Sequence, residues 1–209
     1  PNAWMVNFSN PSGIVTEYLL NHTSIKAVGL CNLPIGAQER IAKLLHVPME
    51  EVRLETVSLN HCGAITGVYV GGENVLPRLL APESLDAAAA VEPWVAYYRP
   101  IIEMLGAIPN DYLQYFFYRE RKLNELKQAP LTRGEACVDI ETRLLSYYAD
   151  ERNRVIPPML AERGGHLYSE AAVALIASLS GAIPGHHVVD IQNNGTLPFL
   201  PDHSVIETS

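Results

Sequence analysis

Two short apolar runs, Trp4-Met5-Val6-Asn7 and Ile25-Lys26-Ala27-Val28-Gly29-Leu30, bracket a stretch with helical spacing at residues 14–20, and no other feature limits the fold as much. The turn Ser9-Asn10-Pro11-Ser12-Gly13 joins the first run to the helix. A strand, a covering helix and a second strand close as a parallel pair, because only a crossover returns the chain to the same sheet edge. In open α/β sheets ligands gather at the carboxy ends of the strands, and Asn10 and Cys31 both fall there.

The later pattern adds elements of both kinds. A helix is expected at 37–45, after Pro34 and Gly36 interrupt the regular pattern, and then a strand at 52–58 that delivers Asn60-His61. A strand at 65–70 leads into the hairpin turn Gly71-Gly72-Glu73-Asn74. Helical spacing covers 84–105, with breaks expected at Pro93 and Pro100 and an end at Gly106 and Pro109. Further helices are expected at 119–127, 134–150 and 169–180, the last opened by Ser169-Glu170 as its N-cap pattern. A strand at 187–191 precedes the turn Asn193-Asn194-Gly195.

Composition matters mainly for what it excludes. With 48% hydrophobic and 18% charged residues among 209, the chain can bury a core and is not disordered. A formal net charge of −8 argues against nucleic acid, which is gripped by clustered Lys and Arg. The longest apolar run, 171–183, is broken by Ser178, Ser180 and Gly181, so no membrane span is expected. Three cysteines form no disulfide framework, which fits a reducing, cytoplasmic setting. No Gly-x-Gly-x-x-Gly turn occurs, so a complete dinucleotide site is not expected. The chain opens on Pro1-Asn2 and an apolar run and closes on Val205-Ile206-Glu207-Thr208-Ser209, as though cut from a longer protein at both ends.

Four groups could carry chemistry: Asn10 with Pro11, Cys31 with Asn32, Asn60 with His61, and Tyr112 with Tyr115. Each has an ordinary structural reading. A lone Cys ending a strand is usually packed, a lone His after a strand usually fills a loop, and the tyrosines at 112, 115 and 118 with Phe116 and Phe117 can form an aromatic stripe. A Cys and a His from two strand ends would also suit a divalent transition ion. Thiolate and imidazole would leave coordination positions open, as catalytic rather than structural sites do.

Several strings in one order resemble glycoside hydrolase family 4. They are Asn7-Phe8-Ser9-Asn10-Pro11, Val28-Gly29-Leu30-Cys31-Asn32-Leu33-Pro34-Ile35-Gly36 and Ser58-Leu59-Asn60-His61. Asp111-Tyr112-Leu113-Gln114-Tyr115-Phe116, Leu131-Thr132-Arg133-Gly134-Glu135, Arg163-Gly164-Gly165 and Tyr168-Ser169-Glu170-Ala171 continue the series over essentially the whole chain. The resemblance implies an α/β fold of the lactate/malate-dehydrogenase kind. Residues 1–34 would be the last β-α-β of an NAD-binding Rossmann domain. Residues 35–209 would be a mixed α+β carboxy-terminal domain for catalysis, substrate binding and oligomerisation, as a homodimer or homotetramer.

The resemblance also implies roles. Cys31 and His61 would hold manganese, Tyr112 would be the base, and Asn10, Asn32 and Arg133 would contact substrate. The residue after the metal-binding Cys tends to be Asp in the family's α-glucosidases and Asn in its 6-phospho-β-glucosidases. Asn32 therefore points to a phosphorylated disaccharide or an aryl 6-phospho-β-glucoside. The implied reaction is an NAD-dependent oxidation at C3 of the sugar, elimination, addition of water and reduction, outside the paired-carboxylate scheme of most glycosidases. A free phenol titrates near ~10, so a tyrosine base calls for a cation beside it. Without its nucleotide turn the isolated chain is expected to be inactive. Rival readings are α-glucosidase or α-galactosidase specificity, a 2-hydroxyacid dehydrogenase relative, and a non-catalytic oligomerising fragment.

Overall fold

The computed structural model describes residues 3–165 and 167–209. The chain begins with β1 (Trp4–Asn7), α1 (Ser12–His22) and β2 (Lys26–Gly29), and β1 and β2 pair in parallel from Trp4↔Lys26 to Asn7↔Gly29. The buried Asn7 side chain fixes the β1–α1 turn: its Nδ2 donates to the Ser12 carbonyl at 3.2 Å and to Thr16 Oγ1 at 3.0 Å.

Next come α2 (Asn32–Leu45), β3 (Val52–Ser58), β4 (Ala64–Val70) and β5 (Glu73–Asn74). α2 starts earlier than its periodicity suggests. Pro34 and Gly36 lie inside it, and Pro34 costs little in the first turn, where backbone N–H groups have no intrahelical acceptor anyway. β3 and β4 form an antiparallel hairpin, and Gly71 and Gly72, both at positive φ, turn β4 into β5.

A helical stretch follows: α3 (Leu76–Leu79), α4 (Pro82–Val91) and α5 (Pro93–Leu105). The break falls before Pro93, as expected, but Pro100 stays within α5. The buried Val95, Tyr98, Ile101 and Ile102 hold that helix against Leu85 and Ala88 of α4, which outweighs one missing backbone bond. Gly106 ends α5 in the left-handed conformation. β6 (Ile108–Pro109), a 3₁₀ turn at Asp111–Leu113, α6 (Gln114–Phe117), α7 (Arg119–Gln128), α8 (Arg133–Tyr148), α9 (Met159–Arg163) and α10 (Tyr168–Leu179) come next. α8 opens on a capping box between Thr132 and Glu135. α10 has Leu167 at its N-cap and no side-chain cap bond, so Ser169 lies in the first turn instead of capping it.

β7 (Val189–Gln192) and β8 (Val205–Thr208) return through the middle of the sheet, whose order is β1-β2-β7-β8-β3-β4-β5, with β6 on β4. Every pairing other than β1–β2 is antiparallel, so the sheet is mixed. Asn193, fully buried, donates to the carbonyls of Leu197 and Leu200 and so shapes the β7–β8 connection. One core cluster packs α2 on β3 and β4 through Ile41, Val52, Leu54 and Val68, and another packs Val28 and Leu30 on Ala171 and Leu175 of α10. Burying a side chain such as Ile41 contributes roughly 1.5–3 kcal/mol. Val28 and Leu30 before Cys31 belong to the second cluster and Ala37 and Ile41 after it to the first, so packed residues hold the chain on both sides of Cys31.

Candidate active site

Cys31 lies two residues past the end of β2 and caps α2, its Sγ accepting from the Leu33 N–H at 3.5 Å. His61 sits in the tight β3–β4 turn, closed by the Cys62 N–H to Leu59 carbonyl bond at 2.9 Å, with φ at +65°. That turn aims the imidazole at the thiol, and Cys31 Sγ lies 3.3 Å from His61 Nε2. The Tyr112 ring stacks on the His61 ring with centroids 4.2 Å apart and planes 16° from parallel. Three sites distant in sequence therefore meet at one place.

The loop carrying Tyr112 is pinned on two sides. Asn110 donates its backbone N–H to the Gly63 carbonyl at 2.8 Å, and its side chain accepts from the Tyr112 N–H at 3.0 Å. Gly63 must be glycine here, because a Cβ would lie 2.1 Å from the Cβ of Ser58. The next residue, Asp111, forms a two-pronged ion pair with Arg40 of α2 at 3.0 and 3.2 Å. Asp111 is thus an ion-pair partner, and Asn110 takes the capping position.

Two carboxylates not anticipated from the sequence lie close by. Asp190 of β7 and Glu207 of β8 are cross-strand partners, so their side chains share one face of the sheet. Asp190 accepts from Ser12 Oγ at 2.5 Å, and Glu207 accepts from Asn60 Nδ2 at 2.8 Å. Burial pushes Asp190 up to about 6 and Glu207 up to about 7, in each case against the hydrogen bond the group accepts. A charged residue inside the apolar Val-Ile-Glu-Thr strand was the signal available in the sequence, since unpaired charges are rarely placed in a core.

These surroundings set the state of the donors. Burial, more than the nearby Glu207 and Asp190, pushes the Cys31 thiol up to about 11, while the Leu33 N–H and Asn60 act in the opposite direction. Burial also lowers the His61 imidazole. The pair by itself is therefore a neutral thiol beside a neutral imidazole, and a bound cation would displace the thiol proton. The donor set fits a divalent transition ion: one sulfur and one nitrogen within 3.3 Å lie inside the span of two metal–ligand bonds of ~2.3 and ~2.1 Å. Among the described residues no group of three or more His, Cys, Asp or Glu could hold a metal.

The other expected residues are less tightly gathered. Asn32, beside Cys31, accepts from the Tyr168 hydroxyl at 3.3 Å. Tyr168 packs edge-on against Phe8 at 4.9 Å and lies over Gly165, where a Cβ would come within 2.5 Å of its ring. Asn10 is exposed in the β1–α1 bend. Arg133, at the start of α8, is exposed and donates Nη2 to the carbonyls of Glu162 and Arg163 at 3.1 and 2.9 Å. A cavity of about 350 Å³ opens beside Cys31, with Gln38, Arg53, Glu170, His186 and His187 in its wall.

The chain is similar to proteins already known. The family described as family 4 glycosyl hydrolase matches residues 1–47, and its C-terminal domain matches residues 57–209. A probable 6-phospho-beta-glucosidase of Bacillus subtilis is 35% identical over 216 residues, covering 100% of this chain and 49% of that protein. The 6-phospho-beta-glucosidase of Thermotoga maritima is 35% identical over 208 residues, covering 99% and 49%. A structure of the Thermotoga enzyme with manganese, NAD+ and glucose-6-phosphate superposes with a TM-score of 0.80 at 32% identity, covering 97% of this chain and 48% of that one. The chain spans about half the length of the curated relatives it matches.

Proposed function

Because the chain belongs to family 4 of the glycosyl hydrolases, we propose that it forms the metal- and base-bearing part of a 6-phospho-β-glucosidase. The observation that carries this reading is the meeting of Cys31, His61 and Tyr112, with 3.3 Å between the thiol and the imidazole and the phenol stacked on the latter. Cys31 and His61 would hold the manganese seen in the Thermotoga relative. When bound, such an ion polarises substrate oxygens as a Lewis acid.

Tyr112 is the group that takes the proton from C2 of the sugar. Its stack on His61 carries the phenol to the metal side of the site, and Asn110 and Asp111 fix the loop beneath it. Asn32 reads the sugar through a neutral amide oriented by Tyr168, and an amide cannot donate a proton as a general acid. That favours the β-linked substrate, as do the relatives, since a 6-phospho-alpha-glucosidase of Lacticaseibacillus paracasei is 26% identical. Arg133 retains guanidinium donors beyond the Nη2 used on main-chain carbonyls, and Asn10 stands exposed at a strand end, so both can reach a phosphorylated sugar. This chain has no Gly-x-Gly-x-x-Gly turn to cradle a dinucleotide, whereas the Thermotoga relative binds NAD+.

Residues 1–34 would then complete a Rossmann sheet, and residues 35–209 would carry catalysis and oligomer contacts, with Val138, Leu145 and Tyr148 exposed on α8 for a homodimer or homotetramer. Three free cysteines suit the cytoplasm, and among the described residues no helix is long and apolar enough to cross a membrane.

The test uses the complete enzyme with an aryl 6-phospho-β-glucoside and its α-anomer. The β-substrate should turn over, and Tyr112→Phe should abolish exchange of the C2 hydrogen with deuterated water while leaving substrate affinity intact. Turnover of the α-anomer alone would reject the specificity, and normal exchange in Tyr112→Phe would remove Tyr112 as the base.

A further inference from the structure

We propose that Arg40 is a positioning residue for Tyr112, and that its ion pair with Asp111 sets the spacing between the thiol of Cys31 and the phenol. The inference rests on Tyr112 being the group that takes the C2 proton. Arg40 lies on α2, the helix that Cys31 caps, and Asp111 immediately precedes Tyr112. The two nitrogens of the Arg40 fork donate to the two oxygens of Asp111 at 3.0 and 3.2 Å. A paired contact of this kind fixes orientation as well as distance, which a single point charge cannot.

Asp111 is held at its other end too. Its carbonyl accepts from the Tyr98 hydroxyl at 3.0 Å and from Gln114 Nε2 at 2.8 Å. The Arg40 guanidinium lies over the Trp94 ring, 5.6 Å from its centroid, which limits its swing. Two further anchors tie the Tyr112 loop to the elements that carry His61 and Cys31. One runs through Asn110 and Gly63 to the hairpin turn that carries His61. The other runs through Asp111 and Arg40 to the helix that carries Cys31. With the first anchor alone, Tyr112 would follow His61 and lose its fixed relation to Cys31. Arg40 touches neither donor, so it acts through Asp111.

A pair that merely held the fold together would lower stability and leave turnover per folded molecule unchanged. The distinguishing experiment compares Arg40→Met, Arg40→Lys and the exchanged double variant Arg40→Asp/Asp111→Arg in the complete enzyme. Each is assayed for kcat, KM and C2 deuterium exchange, and for the optical spectrum of cobalt bound at the Cys31 thiolate. Arg40→Met should reduce kcat and exchange by roughly 10- to 100-fold, the effect of a small misplacement of a reacting group, with KM changed by less than about threefold. The cobalt spectrum should stay as in the parent. Arg40→Lys should fall between the parent and Arg40→Met, and the exchanged variant should recover most of the loss. Parental kcat and exchange in Arg40→Met would overturn the proposal, as would loss of the cobalt spectrum in all three variants, which would show general disruption. Should Tyr112→Phe itself exchange normally, the base reading fails, and that result is separate from any result at Arg40.

Discussion

The central sheet and the helical arm of α7, α8 and α9 use the same residue types in opposite ways. In the sheet region Ile41, Val68 and Ile206 are sealed from water. α7 buries no residue, and α8 buries only Ile140 and Leu144 while leaving Val138, Leu145 and Tyr148 exposed. The sheet side also holds the convergent polar groups, Cys31, His61, Asn60, Asp190 and Glu207, whereas the arm holds exposed ion pairs such as Arg143 with Glu162. Two donors can be kept 3.3 Å apart only where the backbone is fixed on both sides. The arm is therefore the more solvent-exposed of the two regions.

The largest expected effect falls on the sheet side. Cys31→Ala should weaken manganese binding by roughly 100-fold or more, with the far-ultraviolet circular dichroism unchanged, because it would remove one of the two donors proposed for the ion. Titration calorimetry checks this, and parental affinity would take Cys31 out of the site. The next contrast concerns stability. Ile41→Ala should cost ~2–4 kcal/mol in urea unfolding, whereas Leu145→Ala on the arm should stay within about 0.5 kcal/mol. Equal costs would erase the distinction between the two regions.

The third contrast is with pH. Asp190 and Glu207 both titrate above their ordinary range, so the folded chain binds protons that the unfolded chain has released. Their contribution to stability is present below about pH 4, where both states are protonated, and is lost as pH rises through about 6 and 7. These two carboxyls should pull the melting temperature down between pH 5 and pH 8, against the imidazoles of His61, His186 and His187, and Glu207→Gln should weaken that pull; an unchanged pH dependence in the variant would show that Glu207 does not contribute. The smallest effect concerns Arg133. Arg133→Ala should raise KM about 10-fold for the phosphorylated substrate through the loss of a charged contact, with stability shifted by less than about 1 kcal/mol. Unchanged KM would leave Arg133 as a brace between α8 and α9.

Much of the sheet was legible because its signals are local. The run 52–58, which opens on the alternation Val52-Arg53-Leu54-Glu55, is β3 to the residue, and the paired glycines after Val70 mark the hairpin. The end of β2 was legible, but the start of α2 was not, because Pro34 reads as a breaker along the sequence although it is tolerated in a first turn. Pro100 misleads in the same way, since tertiary packing of α5 overrides its local preference. At the site, Cys31, His61 and Tyr112 were readable as motif residues. Asp190 and Glu207 were not, because they become neighbours only when β7 and β8 pair. Arg40 lay inside a helix with nothing local to distinguish it from a solvated charge.

Gly63 limits how this scaffold can be re-engineered. Its missing side chain lets the 58–63 corner fold back on Ser58, and its carbonyl receives the Asn110 strut. Lengthening that corner would shift the imidazole and the phenol together, whereas the Asn32–Tyr168 contact lies outside it and could be altered on its own.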